Sequence, residues 1–167
     1  MLHSAAGKLD EAAHAFQRAL AMDGRLAIAH GFAAYNAVFL GSAGDTLPAI
    51  ERAMRLDPAD RRHSIWFFFG GFAELLIGHT DASIALLRKS LERNSSYGSA
   101  RMFLIAALSL SGQSREAAET AALFRQQYPD GPAGACEKLW LSRSRSAAYR
   151  AQILPVFDTI RGLEVVT

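Results

Sequence analysis

Five histidines, one cysteine and sixteen acidic side chains are the residues of this sequence whose types could hold a metal ion or move a proton. Their spacing arranges neither. His3, His14, His30, His63 and His79 contain no i, i+4 pair, and Cys136 has no ligand type close to it in sequence, whereas metal sites need clustered donors. Phosphate chemistry fares no better. Gly7-Lys8 lacks the upstream glycine of a phosphate loop, and Gly70-Gly71 lies inside an apolar helical run instead of between a strand and a helix. Gly41-Ser42-Ala43-Gly44 has the wrong spacing for a nucleophile elbow and no strand before it. Glu74 is the one unusual charge, set in the apolar run Ile65 to Ile77. The expected reading is a carboxylate held by a hydrogen bond or at a groove edge; burial between helices with a raised pKa is the alternative. His79 beside Gly78 reads as a surface turn residue. No catalytic, metal or cofactor site is expected, and the chain reads as no enzyme.

Binding chemistry is narrowed by charge. Eighteen basic against sixteen acidic residues leave a net charge of +2, too balanced for an electrostatic nucleic-acid binder. Arg52, Arg55, Arg61, Arg62, Arg88, Lys89 and Arg93 interleave with Glu51, Asp57, Asp60 and Glu92, which describes a solvated outer face. The longest apolar run, Ile65 to Ile77, contains Glu74 and falls short of the roughly 20 residues of a membrane span. The opening residues lack a basic segment followed by an apolar one, and a lone cysteine suits a reducing compartment. A cytoplasmic protein is the expectation.

The elements that must position any remaining site are helices. Half the residues are hydrophobic, with Ala and Leu dominant and few β-branched runs. Gly7, Gly41, Gly78 and Gly112, spaced 34, 37 and 34 residues apart, each precede a polar stretch and a Leu/Ala-rich segment. Ala12, Thr46, Ser83 and Ala117 hold the same phase, as do Ala19, Ala53 and Ser90. Repeats of this length mean stacked helix pairs. The extra three residues fall in Ala59 to His63, a loop after Pro58.

Helices are expected over Lys8–Met22, Leu26–Leu40, Thr46–Leu56, Ser64–Ile77, Asp81–Arg93, Ser99–Ser111 and Ser114–Gln127, from apolar positions at i, i+3, i+4 and i+7. Pro48 fits the first turn of its helix. Tyr128-Pro129-Asp130-Gly131-Pro132 breaks the repeat. Beyond it the sequence predicts helices near Ala135–Leu141 and Ser146–Arg161, with Pro155 bending or shortening the last.

These residues resemble the tetratricopeptide repeat (TPR) family, with its 34-residue pairs of antiparallel helices and its pattern Trp-x2-Leu-Gly-x2-Tyr, then Ala-x3-Phe, then Ala and Pro. Ala12 with Phe16 and Ala19, Ile50 with Ala53 and Pro58, Leu87 after Ser83, and Ala117 with Pro129 match the second helices. Gly71 and Ala34 take the small-residue place in the first helices, while His30, Phe67 and Arg101 replace the Trp and Glu74 the Tyr. The likeness covers Leu2 to Asp130. It implies an all-α, right-handed α-solenoid of antiparallel helix pairs, about three and a half TPR units, with a C-terminal capping helix. Residues 1–130 would form the array, its first repeat truncated, and 131–167 capping helices packed on it. The segment Trp66–Ala73 and the tail Ala148–Ala151 with Ile160–Leu163 also resemble the C-terminal repeat region of bacterial regulators that carry a class III adenylate/guanylate cyclase or a winged-helix domain.

By the family's geometry the first helices line a concave face. It would carry Tyr35, Val38 and Phe39, then Ile65, Phe68, Phe72 and Leu75, then Met102, Ala106 and Ser109. This is either an apolar groove for an amphipathic helix or extended peptide, or core, or a surface packed against the chain's own last helix. Phe67 and Phe69 read as core. Gly31, Tyr35, Phe68, Phe72, Met102 and Ala106 stand where relatives that clamp a peptide carboxylate use Lys, Arg and Asn, so that clamp is not expected. The implied function is a non-catalytic protein–protein scaffold, the regulatory or oligomerisation module of a bacterial signalling protein, with self-association through the truncated first repeat as one route. The alternative is an accessory region of a cyclase or winged-helix regulator whose active domain lies outside this sequence.

Overall fold

The structure is a computed structural model that describes residues 8–128 and 133–165, with side chains at 8–128 and 137–162. Gly7 and the residues before it, the break at 129–132, and the side chains of Cys136 and Leu163 lie outside the described residues. Among those described there is no strand. The helices are α1 Leu9–Met22, α2 Ala27–Leu40, α3 Thr46–Leu56, α4 His63–Leu76, α5 Thr80–Arg93, α6 Gly98–Leu110, α7 Ser114–Gln127, α8 Ala133–Ser142 and α9 Ala147–Val165. Each helix from α1 to α6 packs on the next, and α4 also packs on both α2 and α6. The result is a right-handed α-solenoid of stacked helix pairs.

Two turn chemistries alternate along the array. After each of α2, α4 and α6 a glycine takes a left-handed backbone: Gly41 at φ 95°, Gly78 at 86° and Gly112 at 79°. The next amide then bonds a carbonyl five residues back, Ser42 to Ala37, His79 to Glu74 and Gln113 to Leu108. These bonds satisfy carbonyls that a helix end leaves open. After each second helix the closing residue is extended: Asp23, Asp57, Asn94 and Tyr128, at φ −144°, −136°, −148° and −132°. Asp23 and Asn94 accept backbone amides two residues on, from Arg25 and Ser96. These four residues repeat at 34, 37 and 34, the glycine register.

That register also explains the phase markers. Thr46 and Ser83 are buried and donate to the carbonyls of Ala34 and Gly71, each twelve residues upstream. Ala117 holds the same place and is fully buried. A small side chain there lets the second helix approach the first closely. At Gly71 a Cβ would lie 2.8 Å from Leu87 Cγ, so only glycine fits. Ser90 bonds the carbonyl of Ser64, and its counterpart Ala53 is 1% exposed. His30 and Arg101, which stand in the Trp place of the resemblance, reach back to the turn carbonyls of Gly24 and Ser95. They are turn fasteners. His63 does the same for Asp57.

The α3–α4 turn, where the extra residues fall, is closed by Asp60. Its side chain is 4% exposed and accepts from Arg62 N and Nε and from Trp66 Nε1 at 2.8–3.1 Å. Burial alone would raise the Asp60 carboxyl. The Arg62 bonds, the Trp66 indole and the Arg62 charge outweigh it and hold the group below the usual range. Glu74 is 7% exposed and accepts from His79 Nδ1 at 2.8 Å, so the carboxylate is hydrogen-bonded.

Pro155 does not shorten the last helix, which runs unbroken to Val165. Both Pro155 and Ala151, whose carbonyl loses its intrahelical donor, are exposed. Water can satisfy that carbonyl, so the interior proline is tolerated on this face.

Candidate functional site: the concave face

The face formed by α2, α4 and α6 is covered by the chain's own C-terminal helices. α9 packs on all three first helices and on α8. Its buried residues Tyr149, Ile153, Val156, Phe157 and Ile160 form one stripe at i, i+4, i+7, i+8 and i+11, the spacing of an apolar helix face. α8 contributes Trp140, 4% exposed.

Trp140 is the wedge. Its ring centroid lies 4.9 Å from Phe72, 5.0 Å from Phe103, 5.9 Å from Phe68 and 6.1 Å from Phe39. Tyr149 approaches Phe39 at 5.1 Å and Phe157 approaches Phe103 at 6.2 Å. Edge and tilted pairs at these distances add about 0.5–1.5 kcal/mol each beyond burial. Arg143, in the turn after α8, lies over the rings of Trp140 and Phe39 at 4.9 and 5.9 Å.

Polar bonds fix the register of this docking. Ser144 Oγ donates to the carbonyl of Phe39 and Ser146 Oγ to that of Leu40. Both acceptors belong to the last turn of α2, where carbonyls have no helical partner. Ser144 is 1% exposed. Ser146 Oγ also accepts from the amide of Tyr149, at 3.3 Å, in the first turn of α9. Tyr149 Oη donates to the carbonyl of Trp140. One pair of hydroxyls thus clasps α9 to the end of α2.

Each residue expected on the concave face can now be placed. Val38 and Phe39 are 0% exposed, Phe68 1%, Phe72 0%, Leu75 3% and Met102 4%, all within one buried cluster. Tyr35 and Ile65 are half-buried at its margin. Tyr35 stacks on Phe69 at 3.8 Å and 13°; burial pushes its phenol up to about 12, partly opposed by the charge and hydrogen bond of Arg143. Burial likewise raises the phenols of Tyr97 and Tyr149. Phe68 and Phe72 do not face solvent, because Trp140 sits over them. Sequence reasoning did not single out Trp140, Phe103, Arg143, Ser144 or the α9 stripe. The stripe was readable from spacing alone; Phe103 lies one position from Met102 on α6, and both are buried in the same cluster.

Other chemistry is sparse. Among the described residues no group of three His, Cys, Asp or Glu side chains could hold a metal, and no helix is long and apolar enough to cross a membrane. The basic residues of the outer face interleave with acids: Arg55 pairs with Glu51, Arg62 with Asp60 and Arg88 with Glu116.

No family model and no curated protein matches the chain. Solved structures do. The chain is similar to a crystal structure of MamA, at TM-score 0.68 and 19% identity over 96% of this chain and 91% of that one. A second crystal structure, of MamA protein, gives TM-score 0.66 and 19% identity over 95% and 84%. The fold is of TPR type. At this identity the likeness is one of fold.

Proposed function

We propose that the chain is a non-catalytic scaffold for protein–protein contact, working through the concave face around Tyr35, Val38, Phe39, Ile65, Phe68, Phe72, Leu75 and Met102. The observation that carries this reading is the aromatic lining shared by α2, α4 and α6, already filled by a helix. Buried rings at the centre of an apolar groove are what helix-in-groove recognition uses. The TPR-type fold agrees with it. Residues 1–130 act as the array and 131–167 as the segment that covers it. A cytoplasmic setting fits the single cysteine.

Photo-crosslinking in cells tests the reading. A photoreactive residue at Ile65 or Tyr35, on the margin of the face, is expected to capture one and the same protein; at Glu51 or Lys89, on the outer face, it captures none. Capture from the outer positions alone defeats the proposal.

The bacterial signalling setting rests on the Trp66–Ala73 segment and the tail Ala148–Ala151 with Ile160–Leu163. It predicts a class III cyclase or winged-helix sequence in frame with this chain, and a different neighbour would remove it.

A further inference from the structure

The concave face is neither empty nor covered by the helix next in sequence. Among the described residues α9 meets α2, α4 and α6, while neither α8 nor α9 packs extensively on α7, the helix that precedes them. The segment is therefore held by the face itself. Its contacts are those of a ligand: an aromatic–aliphatic–aromatic row at Tyr149, Ile153 and Phe157, a Trp140 wedge, and two hydroxyls on open carbonyls of α2. The opposite side of α9 is polar or exposed, with Leu154 38% and Pro155 and Asp158 also outward. This is an amphipathic helix in a groove.

We infer that α8–α9 is a built-in occupant of the concave face, and that the partner this face takes is an amphipathic helix of another protein. That helix carries an aromatic, a β-branched and a second aromatic residue at i, i+4 and i+8, and it must displace α8–α9 to bind. The inference rests on the scaffold reading and names its ligand class and its control. The chemistry of the ligand is copied from the occupant, because the same rings and carbonyls must be satisfied in either state. The clasp Ser144–Ser146 is the release point: it holds the end of α9 nearest α2 with two neutral hydrogen bonds. A tethered occupant competes at an effective concentration on the order of millimolar. A free helix of equal intrinsic affinity is therefore excluded until the clasp or the stripe is weakened.

The test uses the full chain and, as probe, a fluorescently labelled peptide of residues 137–162. Two full-length variants loosen the occupant without touching the face: Ser144→Ala/Ser146→Ala, and Tyr149→Ala/Phe157→Ala. Both are expected to stay helical and monomeric and to bind the probe, with wild type about a hundredfold weaker because its own segment competes. A probe carrying the same Tyr149→Ala/Phe157→Ala changes is expected to bind none of the three proteins. Loss of cooperative folding in Tyr149→Ala/Phe157→Ala would show the segment to be integral core and overturn the inference. So would a folded variant that ignores the probe. Dimers of Ser144→Ala/Ser146→Ala without probe would assign the face to a second copy and overturn it too. Because the probe comes from this chain, its binding stands even where cells yield no crosslinked partner; conversely, crosslinking at Ile65 with no probe binding leaves the scaffold reading and removes only the displacement.

Discussion

Gly41 and Gly78 end equivalent helices with the same left-handed backbone, at φ 95° and 86°, yet their surroundings differ. A Cβ at Gly78 would meet nothing within 4 Å, whereas at Gly41 it would lie 2.6 Å from Ala148 Cβ, on the first turn of α9. Backbone strain in the left-handed region costs a side chain about 1–2 kcal/mol, and it is common to both. Gly78→Ala is therefore expected to lose about that much in urea unfolding. Gly41→Ala is expected to lose distinctly more, and to speed amide exchange in α8 and α9 while leaving α5 and α6 protected. Equal losses for the two substitutions would mean that α9 does not press on the end of α2. The pair isolates the docking because the strain cancels between them.

In α9 the consequence of the stripe is a contrast between neighbours. Phe157 is 1% exposed against Phe103, and Leu154, three residues earlier, is 38% exposed. Truncating a buried Phe costs about 3–5 kcal/mol, while surface changes usually stay within about 0.5 kcal/mol. Phe157→Ala should approach the larger figure only up to the free energy that docks the segment. Beyond that, α8–α9 leaves the face and the array bears no further loss. Leu154→Ala is expected to be near neutral. Urea unfolding of both variants checks this, and a large loss at Leu154 would misplace the stripe. The same contrast shows what the sequence could and could not reveal. Helix boundaries, the register of 34, 37 and 34, and the buried Thr46 and Ser83 were legible because each is local: a glycine at a turn, a small residue at a close approach, apolar spacing along one helix. The filling of the face was not. It depends on where α9 lands, about a hundred residues from Phe39 in sequence, and a stripe on one helix does not name the surface it meets. The sequence left Phe68 and Phe72 open between groove and core for that reason, and it is Trp140 that lies against both rings.

Across the whole molecule, the seam between array and segment gathers three tyrosines whose phenols burial raises, Tyr35 from α2, Tyr149 from α9 and Tyr97 beside Phe68 at 4.9 Å. A solenoid is stabilised mainly by neighbour contacts, so a helix crossing α2, α4 and α6 couples units that would otherwise open separately. The tyrosines make that coupling sensitive to alkali. In the unfolded chain a phenol loses its proton near pH 10; in the fold Tyr35 keeps it until about 12. Between those values the unfolded state binds fewer protons, so stability is full below pH 10 and falls as pH rises through 12. Tyr35 alone contributes a loss on the order of 2 kcal/mol across that window, and Tyr97 and Tyr149 add to it in the same direction. In a Tyr128→Phe background, which leaves these three phenols as the only ones in the sequence, tyrosinate absorbance is therefore expected to rise together with the loss of helical circular dichroism, as one step. Tyr35→Phe should move that step to higher pH. Tyrosinate forming well before the helix signal falls would mean that these phenols ionise in the folded state, and that the seam does not exclude the charge.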